Sequence, residues 1–200
     1  MNLVYASSDF TGLGAENVTL SDINVTSETS GGASANSTNG VVVSTLNTLN
    51  DYTSGTVDAG TVTVLRGDAA DLNTAYAANT AGTISNLGNE AVTTTDTSLA
   101  AATLSTLDGY TSGVVNAASI TTLTGTIAAV NTVYAADTAG TIDNLGNEAV
   151  TLSDTALTDA STLVTLNSNT TGTINADTLS TVSGALSVVK SIYDLSLIHI

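Results

Sequence analysis

Eighteen Asp and Glu residues are the main chemical resource of this 200-residue chain, and their spacing decides what they can do. Glu16, Glu90 and Glu148 occupy one recurring position; Asp22, Asp96 and Asp154 occupy another. Two roles suit such ranks. Calcium takes several oxygen ligands in loose geometry, so Glu90, Asp96, Glu148 and Asp154 are the candidate ligands if a divalent cation binds. The structural role needs no ligand: Asp caps a helix and Glu accepts turn N–H groups. The structural role is the expectation, because neither a nonapeptide calcium repeat nor an EF-hand loop occurs. Stacked two turns of chain apart, like carboxylates would lie on the order of 10 Å from each other. Their repulsion at that distance is largely screened in salt water. Acid-paired glycan cleavage needs two particular carboxylates across a cleft, whereas most acids here recur. No catalytic residue and no cofactor are therefore expected, and the chain is not read as an enzyme.

Other motifs carry less. The single His, His199, sits in the last five residues, and there is no Cys. Ser-His-Asp and Cys-His catalysis are thereby excluded, as are thiolate and multi-His metal sites. Gly12-Leu13-Gly14 lacks the third glycine of a dinucleotide fingerprint. Arg66-Gly67-Asp68 spells an integrin-binding tripeptide. Related stretches read Thr124-Gly125-Thr126 and Ser183-Gly184-Ala185, so the glycine is expected to belong to the fold and the charges to be drift. Thr93-Thr94-Thr95, Thr121-Thr122 and Thr61-x-Thr63 suggest strands bearing hydroxyl ranks, with ice binding as the functional alternative.

The charge balance narrows the partners. Two basic residues stand against eighteen acidic ones, a net charge of −16. Nucleic-acid binding rests on basic neutralisation of phosphates, so no nucleic-acid partner is expected. Solubility and mutual repulsion are the simplest use of this charge. Apolar content of 42 % with only 10 % charged residues separates the chain from disordered acidic tails. No apolar run approaches the roughly 20 residues of a membrane helix, and no basic-then-apolar leader opens the chain.

Stepping outward from these residues, the chain repeats. GTISNLGNEAV at 82–92 returns as GTIDNLGNEAV at 140–150, a shift of 58 residues from Gly82 to Gly140. LNTAYAANTAG at 72–82 returns as VNTVYAADTAG at 130–140. Residues 91–113 can also be laid over 61–82, so the repeat is itself a pair of coils of about 29 residues. Six coils follow: about 11–54, 55–81, 82–112, 113–139, 140–171 and 172–195. Residues 27–40, rich in Gly, Ser and Asn, read as an inserted surface loop.

Each coil opens at Gly55, Gly82, Gly113, Gly140 or Gly172, where a left-handed helix end is expected. Short Thr- and β-branched stretches then favour strands. Asp96 and Asp154 are expected to cap the helices that follow. Leu72, Ala75 and Tyr76 fall at i, i+3 and i+4, as do Val130, Val133, Tyr134 and Val189, Ile192, Tyr193. That spacing predicts core-facing helices of about 11 to 14 residues. Alternating strands and helices predict an α/β fold with parallel strands joined by right-handed crossovers. The expectation is one right-handed α/β solenoid domain over residues 1–195.

The elements GTI-x-NLGNEAVTLSD and TLTGTIAAVNTVYAA resemble the Thr/Ala/Asp-rich tandem repeats of very large surface or secreted proteins of marine cyanobacteria. The resemblance covers about residues 11–195. It implies an extracellular or cell-surface spacer, adhesive or matrix-like role. The ends stand out of phase with the repeat: Val4-Tyr5-Ala6 matches Val133-Tyr134-Ala135, and Tyr193 is not followed by the usual Ala-Ala-Asp. SLIHI at 196–200 resembles a translated sequencing adapter, which implies a non-native tail. A fragment of a longer protein, able to associate end to end, is the resulting expectation.

Overall fold

The computed structural model describes residues 13–21 and 40–196. Val4-Tyr5-Ala6, Asp22, residues 27–39 of the expected loop, His199 and the tail after 196 lie outside them. The fold is α/β, with short parallel strands and six helices alternating along the described residues. In chain order the first strands are β1 (Val18–Thr19) and β2 (Val41–Val42), followed by α1 (Val43–Tyr52). Next come β3 (Val57–Asp58), β4 (Val64–Gly67) and α2 (Ala69–Ala81). β5 (Ile84–Ser85), β6 (Ala91–Thr94) and β7 (Ser98–Ala100) lead into α3 (Ala101–Tyr110). β8 (Val115–Asn116) and β9 (Thr122–Gly125) precede α4 (Ile127–Ala139). β10 (Ile142–Asp143), β11 (Ala149–Leu152) and β12 (Ala156–Leu157) precede α5 (Ser161–Asn169). β13 (Ile174–Asn175), β14 (Thr181–Val182) and α6 (Leu186–Ser196) complete the described chain.

Contacts divide the chain into two compact units. The first comprises Met1–Thr95 with Gly109–Val115, the second Asp96–Asp108 with Asn116–Ile200. In the first, Val18, Val57 and Ile84 stand in register across β1, β3 and β5. Val41, Leu65 and Val92 do the same across β2, β4 and β6. In the second, one row runs Leu99, Leu123, Val150, Ile174 through β7, β9, β11 and β13. Period-two alternation turns these residues to one face, and all but Ile174 are buried.

The helices complete each core. Leu72, Ala75 and Tyr76 of α2 are buried in the first unit, and Val130, Val133 and Tyr134 of α4 in the second. Helices of 9 to 13 residues are marginal alone. Burying each Val, Ile or Leu contributes about 1.5–3 kcal/mol, so the apolar face sustains them.

Four local expectations need correction. The Val189, Ile192, Tyr193 face of α6 is not buried among the described residues: Val189 and Ile192 are half-buried and Tyr193 is exposed. Helices span 9 to 13 residues; α3 and α5, of 10 and 9 residues, each follow a segment of three short strands. Asp96 and Asp154 do not cap the next helix: β7 and β12 intervene, and α3 and α5 begin at Ala101 and Ser161. The caps are elsewhere. Asp68 accepts the Asp71 N–H at 2.9 Å to start α2, and the Thr126 hydroxyl accepts the Ala129 N–H at 3.2 Å to start α4. The opening glycines are also of two kinds. Gly82 (φ 82°) and Gly140 (φ 81°) are left-handed helix caps as expected. Gly55, Gly113 and Gly172 serve a different purpose, described next.

Candidate functional site

The recurring glutamates sit in turns built to receive them. Gly14, Gly88 and Gly146 have φ of 118°, 122° and 124°, which suits glycine alone. Asn86 and Asn144 adopt φ of 65° and 70°, a conformation Asn tolerates. The reversal points the following N–H groups inward, and the glutamate folds back onto them. Glu90 Oε2 accepts the Gly88 N–H at 2.8 Å and the Asn89 N–H at 3.1 Å. Glu16 Oε2 accepts those of Gly14 at 2.8 Å and Ala15 at 3.1 Å. Glu148 Oε2 accepts the Gly146 N–H at 2.9 Å.

A tyrosine from the preceding helix closes the carboxylates of Glu90 and Glu148. The Tyr76 hydroxyl donates to Glu90 Oε1 in the first unit. The Tyr134 hydroxyl donates to Glu148 Oε2 at 3.0 Å in the second. These are deep sites: Glu90 is 1 % and Glu148 0 % exposed. One helical turn beyond each tyrosine, Asn79 and Asp137 accept the Leu87 and Leu145 N–H groups, both at 3.1 Å. Tyr110 stacks on Tyr76 with ring centroids 4.9 Å apart. Burial chiefly, aided by Glu90, pushes the Tyr76 phenol above the ordinary tyrosine range. Burial, aided by the charge of Glu148, does the same to Tyr134.

A Thr-x-Gly segment clamps each glutamate from the other side. The hydroxyls of Thr53, Thr111 and Thr170 donate to the backbone carbonyls of Glu16, Glu90 and Glu148. The same hydroxyls accept the N–H groups of Gly55, Gly113 and Gly172 at 2.9–3.0 Å. The N–H groups of Ser54, Ser112 and Thr171 donate to the carbonyls of Gly14, Gly88 and Gly146. Contact is so close that a Cβ on Gly55, Gly113 or Gly172 would stand 2.1–2.3 Å from a glutamate carbonyl oxygen. Close approach, rather than a left-handed backbone, explains these glycines. Reading the acids first misses the clamp, although the recurrence of Thr-Ser-Gly and Thr-Thr-Gly after each Leu-Gly-x-Glu was a usable signal.

Asp154 works elsewhere. Its Oδ2 accepts the Ile127 N–H at 2.7 Å, at the first residue of α4. It therefore supports a helix N-terminus, but of the helix that precedes it in sequence. Ile127 and Tyr134 are seven residues apart, about 10 Å along a helix. Asp154 and Glu148 thus serve groups too far apart to share one cation shell. Asp96 is half-buried. Among the described residues no group of three or more His, Cys, Asp or Glu side chains is arranged to hold a metal ion.

The remaining motifs are absorbed by the fold. Arg66 and Gly67 lie in β4, where a Cβ on Gly67 would meet Val43 Cγ1 at 2.3 Å, and Asp68 caps α2. The hydroxyls of Thr61 and Thr121 donate to the carbonyls of Leu20 and Thr97 at 2.8 and 3.0 Å. Thr94 is buried. Across β4 and β6, Thr93 faces Arg66, and across β9 and β11, Thr122 faces Ala149. The threonine rows are thus interrupted.

An open depression of about 610 Å³ is lined by Gly60, Asn86, Leu87, Gly88 and Asn89. None of these five side chains is a nucleophile or titrates. Beside Gly60, Asp58 accepts hydrogen bonds from the Asn86 amide at 2.8 Å and the Gly60 N–H at 2.9 Å. The Asn86 bond first, then that from Gly60, hold its carboxyl below the usual carboxylate range. No family model, curated protein or solved structure matches this chain.

Proposed function

We propose that this chain is a non-catalytic structural or adhesive segment of a larger extracellular or cell-surface protein, acting as a spacer or scaffold. In this reading it is a right-handed α/β solenoid of about six coils, paired into 58-residue repeats. Crossovers between parallel strands favour that hand. The observation that carries the reading is the recurring glutamate clamp. Residues with the chemistry for catalysis or cation binding are spent on joining one stretch of the chain to the next. A phenol held above its usual range makes a poor proton donor or acceptor near neutral pH. The resemblance to repeats of very large surface proteins supports an extracellular location. The net charge of −16 opposes binding to nucleic acid. Among the described residues no helix is long and apolar enough to cross a membrane.

Repeat excision tests the reading. Deleting residues 83–140 removes 58 residues and joins Gly82 to Thr141, restoring the Gly-Thr pair. The shortened chain should keep its circular dichroism per residue and a cooperative melt, as repeat arrays do. Loss of folded structure on this deletion would sink the proposal.

A further inference from the structure

The two units share the glutamate turn and differ at its border with solvent. In the first unit the open depression is lined by Gly60, Asn86, Leu87, Gly88 and Asn89. The matching positions of the second unit are Ala118, Asn144, Leu145, Gly146 and Asn147. Hydrogen bonds confirm the match. Asp58 accepts the Gly60 N–H at 2.9 Å and the Asn86 amide at 2.8 Å. Asn116 accepts the Ala118 N–H at 2.9 Å and the Asn144 amide at 3.2 Å. A Cβ on Gly88 would stand 3.5 Å from the Tyr110 carbonyl oxygen, and one on Gly146 3.7 Å from that of Asn169. Three differences therefore separate the two places: the first unit has Asp58, Gly60 and Tyr110 where the second has Asn116, Ala118 and Asn169.

Each difference supplies something that a polyhydroxylated ligand needs. Both hydrogen bonds to Asp58 end on Oδ1, so among the described residues Oδ2 accepts none and is left for a ligand hydroxyl. Hydrogen bonds to a charged acceptor are roughly twice as strong as neutral ones. Gly60 keeps the space beside this carboxylate open: a Cβ there would stand 3.1 Å from Asp58 Oδ1 and 3.3 Å from Asn86 Cβ. Tyr110 flanks Gly88 and is 40 % exposed, with one ring face stacked on Tyr76. An exposed tyrosine offers an apolar ring surface beside a polar tip, which suits the C–H face of a pyranose. Asn86 and Asn89 are exposed, and among the described residues Asn86 Oδ1 and the Asn89 side chain make no hydrogen bond. Other ligand classes fit poorly. Glu90 takes the Gly88 and Asn89 N–H groups, so no N–H nest remains for an anion, and the net charge of −16 repels one. Leu87 alone is too little apolar lining for a lipid.

We propose that the first unit binds a neutral saccharide in this depression. Asp58 Oδ2 and the Asn86 and Asn89 amides take its hydroxyls, and Tyr110 lies against its C–H face. The site names what an adhesive segment would hold, and it rests on the adhesive half of the reading above. Open, shallow sites bind single sugars weakly, so the expected Kd is on the order of 1 mM.

NMR titration of the intact isotope-labelled chain tests the site. The probes are cellobiose, mannobiose and lactose, which present gluco-, manno- and galacto-configured rings, with glycerol as the polyol control. At least one disaccharide should shift the amide signals of Gly60, Asn86 and Asn89 saturably, while those of Ala118, Asn144 and Asn147 stay still. Glycerol at the same concentration should shift neither set. Tyr110→Asn and Gly60→Ala introduce the residues that the second unit carries, so the fold already accommodates both. Tyr110→Asn should weaken binding about tenfold, the loss expected for an aromatic contact. Gly60→Ala should weaken it by narrowing the space beside Asp58. No saturable shift with any of the three disaccharides overturns the proposal. So does glycerol reproducing the shifts, an equal response in the second unit, or full affinity in a Tyr110→Asn protein that melts like the unsubstituted chain. If Tyr110→Asn disturbs folding, Asp58→Asn decides, since Asn116 holds that place in the second unit. Its affinity should fall about tenfold with loss of the charged acceptor, and unchanged affinity refutes the site. A folded 83–140 deletion alongside an intact chain that ignores all three sugars removes the site alone. Collapse of the deletion alongside saturable binding removes the scaffold reading and leaves the site.

Discussion

Replacing Gly113 with Ala tests the clamp most directly. The new Cβ would stand 2.3 Å from the Glu90 carbonyl oxygen, 2.6 Å from its carbon and 2.8 Å from the Ala91 nitrogen. All three are backbone atoms, so no flexible side chain can swing aside. Overpacking of this kind costs about 1–3 kcal/mol. Pushing the segments apart also breaks the Thr111 bridge, which accepts from Gly113 and donates to the Glu90 carbonyl. Leaving those part-buried groups unpaired adds about 1–3 kcal/mol. The expected loss is roughly 2–6 kcal/mol, a large part of the 5–15 kcal/mol that holds a typical domain together. For a chain of this length each kcal/mol moves the melting temperature by about 2–4 °C. Thermal unfolding followed by circular dichroism reads the effect. Gly109→Ala is the matched control: a Cβ there meets nothing within 4 Å, inside α3. It should stabilise the protein by about 0.5–1 kcal/mol through helix propensity. A Gly113→Ala protein within about 0.5 kcal/mol of wild type, comparable to an ordinary surface substitution, would refute the clamp.

Tyr76→Phe removes the hydroxyl that donates to buried Glu90 and should destabilise by about 1.5–3 kcal/mol, the range for hydrogen bonds to charged groups, read by urea unfolding. Tyr76 and Tyr134 have folded-state pKa values above the unfolded value near 10, so the native state retains protons that the unfolded state releases. Their stabilisation is complete below about pH 10 and is lost as pH rises above it. Absorbance at 295 nm should show a late phenolate step that coincides with unfolding and disappears in a Tyr76→Phe/Tyr134→Phe protein. Asp154→Ala deletes the acceptor for the Ile127 N–H and should cost about 1 kcal/mol in a thermal melt, as loss of a helix cap does. Asp68→Ala should cost a similar amount by exposing the start of α2 while leaving cell attachment unchanged, because Asp68 serves as a cap. Melting temperature should not move between calcium and chelator; an upward shift with calcium would restore the cation reading.

Much of the framework was legible in the residues. A helix face needs only the i, i+3, i+4 spacing, so Leu72, Ala75, Tyr76 and Val130, Val133, Tyr134 were recognisable, and all six are buried. Gly82 and Gly140 were legible as caps because a left-handed turn at a helix end is a local requirement. The structural role of the glutamates was half legible: turn N–H groups lie one and two residues away, whereas the tyrosine partner lies fourteen residues back.

Local chemistry depends on neighbours in sequence, and there the sequence alone reached α/β alternation, the buried faces of α2 and α4 and the left-handed caps at Gly82 and Gly140. Which groups meet across neighbouring strands depends on register, and only the tertiary structure decided that. It moved Asp154 from the helix that follows it to the helix that precedes it. It paired Thr111 with Glu90, twenty-one residues away, and gave Gly113 its purpose through a carbonyl oxygen. It also buried Glu90 and Glu148, for which the sequence had left cation binding as the alternative to a structural role. The physical reason is the same in each case. A strand ladder sets contacts by the neighbour it places about 4.8 Å away, and that neighbour is distant in sequence.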